Sequence, residues 1–140
     1  MIKNTMDIDF SRELTIAKKA ALEAGNFLRK NKNNLNKTIS STDRDIKLQA
    51  DIEAENIIKD IIINDSSFGI LAEESGMSSE ESYKNLWVVD PLDGTANYSR
   101  NIPLCCVSIA MLSNTKPVLG VIYDLDRKST RLNSSHQIIS

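Results

Sequence analysis

Aromatic side chains make up only 5% of the 140 residues, and there are two cysteines and one histidine. A core must therefore be assembled from Ile, Leu, Val and Ala, and no disulfide framework is available. The cysteines, Cys105 and Cys106, are adjacent, which rules out a C-x-x-C redox or zinc pair. They read as reduced thiols within or beside a buried strand, consistent with a reducing, cytoplasmic setting. No apolar run approaches the ~20 residues of a membrane span. Met1 to Phe10 mixes polar, acidic and apolar residues and lacks a signal peptide's hydrophobic stretch. Charge of one sign is also missing: Lys+Arg number 17 and Asp+Glu 19, a net of −2. That balance excludes a general nucleic-acid or membrane-surface binder. What remains, at 41% hydrophobic and 26% charged residues, is an ordinary soluble globular composition of one-domain length.

Periodicity organises the first half. Phe10, Leu14, Ala17, Ala21, Ala24 and Leu28 recur at alternating spacings of four and three, which predicts a core-facing helix over about 10–30. Asp9 or Ser11 can cap its start. The Asn/Lys-rich stretch 31–37 reads as a loop, and 45–50 as a short extended segment. Ile52, Ala54, Ile57, Ile58, Ile61 and Ile62 predict a second helix over 51–64, with Glu53 and Glu55 in its first turn. Short apolar runs follow at 68–72, 86–89, 105–112 and 117–123, the last two joined by the turn-like Ser113-Asn114-Thr115-Lys116. Two helices followed by hairpin-linked strands predict an α+β layered fold. From Arg127 the chain is polar and aperiodic and contains His136. It resembles translated adapter or cloning read-through, with a native disordered tail as the alternative. The expected division is therefore a folded 1–126 and a tail, 127–140, outside the fold.

The chemistry concentrates in Trp87-Val88-Val89-Asp90-Pro91-Leu92-Asp93-Gly94-Thr95. A buried strand delivers Asp90 at its end, Pro91 stops further pairing, and Asp93 returns a second carboxylate nearby. Gly94 lets the backbone approach a ligand closely, and Thr95 adds a hydroxyl. If a helix opens at Thr95, its free amides make a phosphate-sized anion site beside the carboxylates. Acids and an anion site coexist usefully only with a cation between them, and Mg²⁺ suits that role. Asp-Pro or Asp-Gly alone is ordinary turn chemistry; the combination with the upstream Glu73-Glu74 is not. Haloacid-dehalogenase-type phosphatases place one residue between their aspartates, whereas two separate Asp90 from Asp93. A covalent aspartyl-phosphate route therefore does not fit.

Over roughly residues 10–125 the sequence resembles the N-terminal half of an inositol monophosphatase-type enzyme, in the Mg²⁺-dependent, lithium-sensitive sugar phosphatase superfamily. The matching pieces are Asp51 in Leu48-Gln49-Ala50-Asp51, Ala72-Glu73-Glu74-Ser75, and Asp90 to Thr95 followed by Asn97 and Ile102-Pro103. The resemblance implies a layered α/β sandwich, with N-terminal helices on a mainly antiparallel sheet and the C-terminal half missing. It also implies that Glu73, Asp90, Asp93 and the Leu92 carbonyl ligate Mg²⁺, that Asp93, Gly94 and Thr95 bind substrate, and that the Gly94 and Thr95 amides hold its phosphate. Glu73 and Thr95 would orient the attacking water and Asp51 would support them, although Asp51 also reads as a helix N-cap. The implied reaction is direct hydrolysis of a small phosphomonoester such as myo-inositol monophosphate, and the resemblance leaves open whether the longer parent forms a homodimer. Three departures loosen the substrate assignment: Ala72 for the usual Gly, Leu48 for a frequent Thr, and Ala96 for a common second Thr. The family's later Trp-Asp-x-Ala-Ala segment has no match, so this chain alone is expected to be nearly inactive. A 3′(2′),5′-bisphosphate nucleotidase or fructose-1,6-bisphosphatase is the alternative within the superfamily. A non-catalytic metal- or phosphate-binding module is the alternative outside it.

Overall fold

The computed structural model describes residues 9–36, 43–77, 84–94, 97–98, 102, 104–127 and 129–134. Helix α1 spans Ser11–Asn36. The Asp9 carboxylate caps it by accepting the Ser11 N–H at 2.8 Å. Ile16, Ala17, Ala20, Ala21, Ala24 and Leu28 are buried along one face, and Lys18, Lys19 and Glu23 stay in solvent. The helix continues to Asn36 within the stretch expected to be a loop, and Lys37 lies outside the described residues. Asn and Lys cost only tenths of a kcal/mol each in a helix, and no Gly or Pro interrupts 26–36.

Helix α2 spans Asp43–Asp65 and also exceeds its expected length. Residues 45–50, expected to be extended, form its first turns, because again no Gly or Pro breaks the segment. Two readings are corrected as a result. Asp51 lies in the third turn and is not an N-cap, and Glu53 and Glu55 lie mid-helix, away from the first turn. Ala50, Ala54, Ile58 and Ile62 form the buried stripe.

Among the described residues six strands follow: β1 (Gly69–Ala72), β2 (Gly76–Met77), β3 (Asn85–Asp93), β4 (Cys106–Ser113), β5 (Lys116–Asp124) and β6 (Ser129–Ser134). They make one sheet in the order β2-β1-β3-β4-β5-β6. Only β1 and β3 are parallel; every other neighbouring pair is antiparallel. The β4–β5 hairpin turns at Asn114 and Thr115, whose φ angles of 50° and 66° match the right-handed strand twist. Helix α1 packs on β4 and β5 and α2 on β3, all from one side. Trp87, Val89, Val107, Ile109, Met111, Leu119, Val121 and Tyr123 fill that side. This is the α+β layering expected, a helical layer on a mainly antiparallel sheet.

Two strand boundaries differ from expectation. β3 does not stop at Asp90-Pro91 but runs on to Asp93 through a register shift. The polar stretch expected to lie outside the fold contributes β6, paired along β5 from Leu119↔Ser134 to Asp124↔Ser129. Edge pairing uses main-chain N–H and C=O groups, so it needs no apolar alternation. His136 lies outside the described residues.

Gly25 sits where α1 crosses the sheet, and a Cβ there would overlap the Tyr123 ring, whereas a Cβ at Gly120 would meet nothing within 4 Å. Gly25→Ala is expected to lower stability by about 1–3 kcal/mol, and Gly120→Ala to change it by less than about 0.5 kcal/mol. Urea unfolding checks the pair; equal midpoints would contradict this packing.

Candidate functional site

The β3 register shift decides which side chains meet. Trp87, Val89 and Pro91 point toward the helices, and Val88 and Asp90 toward the opposite face. Continued alternation would turn Asp93 inward with them. Instead, Asp90 pairs with Ser108 and Asp93 with Cys106, so three steps along β3 match two along β4. That is a β-bulge. It absorbs the extra residue, leaves Leu92 only 1% exposed, and returns Asp93 to the face that Asp90 occupies. Pro91 lies within this irregular stretch, where its missing N–H does least damage to the ladder.

Glu73 arrives from the neighbouring strand. Ala72 is the last residue of β1 and is paired in parallel with Val89, so Glu73 comes level with Asp90. Its N–H donates to the Val89 carbonyl at 3.2 Å. The next N–H, of Glu74, donates to Glu55 Oε1 at 2.9 Å. Glu73 is pushed up from an ordinary 4.5 to about 7. The hydrogen bond it shares with Asp90 when protonated is the main cause; partial burial and the charges of Asp90, Glu74 and Asp93 add to it. Asp90 Oδ1 is buried and has no hydrogen-bond partner among the described residues. The structure thus brings Glu73, Asp90 and Asp93 into one electrostatic neighbourhood. Among the described residues, no three His, Cys, Asp or Glu side chains already close into a metal cage.

Asp51 is buried on α2. Glu55, one turn further along the same helix face, is 3% exposed. Its part in holding the Glu73 turn differs from the helix-start charge that its place in the sequence predicts. Two carboxylates at i and i+4 beside an apolar stripe were the available signal. Thr95 lies outside the described residues. Gly94 has φ +91°, and a Cβ there would come within 2.6 Å of the Leu104 carbonyl. The close approach it permits is therefore to the chain leading into β4, where a ligand had been expected. The Asn97 side chain donates to that same carbonyl at 2.9 Å, and the buried Tyr98 hydroxyl donates to the Leu28 carbonyl of α1 at 2.8 Å. The first bond ties the segment after the acids to the chain leading into β4, and the second ties it to the helical layer.

A cavity of about 580 Å³ opens beside Asp93, lined also by Gly94, Asn97, Cys106, Ile122 and Asp124. Cys106 Sγ lies 3.9 Å from Asp93 Oδ2. Burial pushes this thiol up to about 11, with the charges of Asp93, Asp90, Cys105 and Asp124 adding to the effect. Neither Cys105 nor Cys106 is in a disulfide. No helix among the described residues is long and apolar enough to cross a membrane.

The Glu73 shift has a definite sign. A carboxyl raised in the folded state favours folding fully below about 4.5, and that contribution is lost as pH rises through about 7. Asp90→Asn is expected to bring the Glu73 midpoint down toward the ordinary carboxylate range. Carbon-detected NMR titration of the Glu73 carboxyl checks this, and an unmoved midpoint would show that the two acids do not face each other.

Residues 9–134 match the Inositol monophosphatase family. The Nus factor SuhB of Xylella fastidiosa is 40% identical over 114 residues, covering 79% of this chain and 41% of that protein. The inositol-1-monophosphatase of Synechocystis is 39% identical over 97 residues, covering 65% of this chain and 34% of that one. The structure of inositol monophosphatase from Anabaena (Nostoc) superposes with a TM-score of 0.77 at 33% identity, covering 93% of this chain and 46% of that one. The chain therefore spans less than half the length of these relatives. With its two-helix layer, its mixed six-stranded sheet and this match over most of its residues, the chain belongs to the inositol monophosphatase family.

Proposed function

We propose that this chain carries the cation-binding part of a Mg²⁺-dependent phosphatase acting on a small phosphomonoester such as myo-inositol monophosphate. What supports the reading is that Glu73 shares a hydrogen bond with Asp90 and feels the charge of Asp93, and that one buried Asp90 oxygen has no hydrogen-bond partner among the described residues. Adjacent carboxylates repel, and a buried acceptor left without a partner costs about 1–3 kcal/mol. A hard cation relieves both, and an all-oxygen donor set with open cavity space beside its Asp93 member suits an ion that keeps several waters. Glu73, Asp90 and Asp93 would hold Mg²⁺ together with the Leu92 carbonyl. The names of the Synechocystis and Anabaena relatives support an inositol phosphate as substrate.

When bound, Mg²⁺ supplies charge stabilisation to both the attacking and the leaving oxygen and eases ionisation of water. The chain's own residues do the positioning. Glu73 and the Thr95 hydroxyl orient the attacking water, and the Gly94 and Thr95 amides hold the phosphate with Asp93 beside them. Asp51 supports the set from α2. A water oxygen bonds to phosphorus as the ester P–O bond breaks. The electron pair leaves with the alcohol oxygen, which takes up a proton, and no covalent enzyme intermediate forms.

Calorimetry of the chain with Mg²⁺ is expected to show saturable binding that Asp93→Asn abolishes while circular dichroism stays unchanged. In the longer protein carrying this sequence, the same substitution is expected to slow inositol phosphate hydrolysis by about 10²-fold or more. An unchanged rate with unchanged Mg²⁺ dependence would defeat the proposal. Binding without turnover in the longer protein would instead favour a non-catalytic module.

A further inference from the structure

We infer that Glu55 is a positioning residue for Glu73, acting through the backbone of the turn that joins β1 to β2. The inference deepens the cation-site reading above and rests on it. Glu55 is only 3% exposed, and glutamates are almost never buried this fully unless something holds them. The group it holds is neutral, the Glu74 N–H at 2.9 Å. An apolar side chain would pack the α2 face at lower cost, so the carboxylate there acts as an acceptor, supplied to a donor that the turn leaves over.

The preceding amide is fixed from the other side. Glu73 N–H donates to Val89 on β3 at 3.2 Å, so successive amides of the turn are bonded to two different elements. Lys59, four residues after Glu55 on α2, donates from Nζ to Ser75 Oγ at 3.1 Å. Gly76, with φ +73°, then carries the chain into β2. α2 thus grips the turn twice and β3 once, and residue 73 is clamped between them. The clamp matters because Glu73 faces another carboxylate. Like-charge repulsion would swing a free turn outward and separate Glu73 from Asp90 before any cation arrived.

Three substitutions test the clamp. Glu55→Gln keeps an acceptor oxygen in place, Glu55→Asp withdraws it by one methylene, and Glu55→Ala removes it. Two readouts apply to the intact chain: hydrogen exchange at the Glu74 amide and Mn²⁺ affinity by electron paramagnetic resonance. The Gln variant is expected to match the parent within about twofold in both. The Asp and Ala variants are expected to lose about tenfold in Glu74 protection and about tenfold in Mn²⁺ affinity. Parent-like Mn²⁺ binding by the Asp and Ala variants would overturn the inference, and so would a loss in Gln as large as in Ala. If the Ala variant fails to fold, the Gln–Asp comparison decides. If the parent itself binds no Mn²⁺, the cation reading fails. Glu55 is then judged without metal, by Glu74 exchange and by whether Glu55→Asp moves the Glu73 carboxyl carbon shift. Both must change for the inference to stand.

Discussion

The like charges of Asp90 and Asp93 act on Glu73, and holding these acids near one another against that repulsion is the constraint on which the rest of the structure depends. A single extra residue in β3 creates the arrangement. Without the bulge between Asp90 and Asp93, strict alternation would aim Asp93 into the helical layer beside Val89 and Trp87. With it, Leu92 takes the inward position and Asp93 joins Asp90. Parallel pairing of β1 with β3 then brings Glu73 level with Asp90. Asp90 and Asp93 are placed by β3 and its bulge and Glu73 by the turn after β1, which a main-chain bond to Val89 and side-chain bonds from α2 hold in place.

The other side of the sheet supplies the rigidity this needs. Small residues along α1 and α2 let both helices lie close to the strands, and a glycine at 25 makes room for the Tyr123 ring. Tyr98 extends that layer toward the site. Its buried hydroxyl reaches the Leu28 carbonyl from a position four residues after Gly94. Burial raises its ionisation well above the ordinary phenol range, so the hydroxyl stays a hydrogen-bond donor at physiological pH. Glu55 and Lys59 do the corresponding work for the Glu73 turn. Packing and polar anchoring thus divide the labour: apolar contacts fix the elements, and a few side-chain-to-backbone bonds fix the segments that carry charge.

Much of this was legible in the residues. The spacing of Leu14, Ala17, Ala21, Ala24 and Leu28 marks the buried face of α1, and the apolar runs at 86–89, 105–112 and 117–123 mark the central strands. The candidate acids stand out in the sequence because Asp-Pro-Leu-Asp-Gly-Thr follows a strand. Four features were hidden, each for a physical reason. The first turns of α2 and the last of α1 lack the apolar period that signals a helix, yet nothing in them breaks one. Pro91 reads as a strand stop, because a bulge that tolerates it is a property of two strands together. β6 pairs through its main chain, which leaves no side-chain pattern. Glu55 resembles any charged residue near a helix start until its burial is known.

The proposed site requires Glu73, Asp90 and Asp93 to share one cation. Paramagnetic relaxation by Mn²⁺ measures this most directly, because broadening falls steeply with distance from the ion. Substoichiometric Mn²⁺ is predicted to erase the NMR signals of residues 73, 90 and 92–94, while those of Glu23, Asp60 and Asp65, acids exposed on the helices, persist. Equal, shallow broadening of all these acids would mean that the ion samples the surface at random, and the convergence described here would not be a binding site.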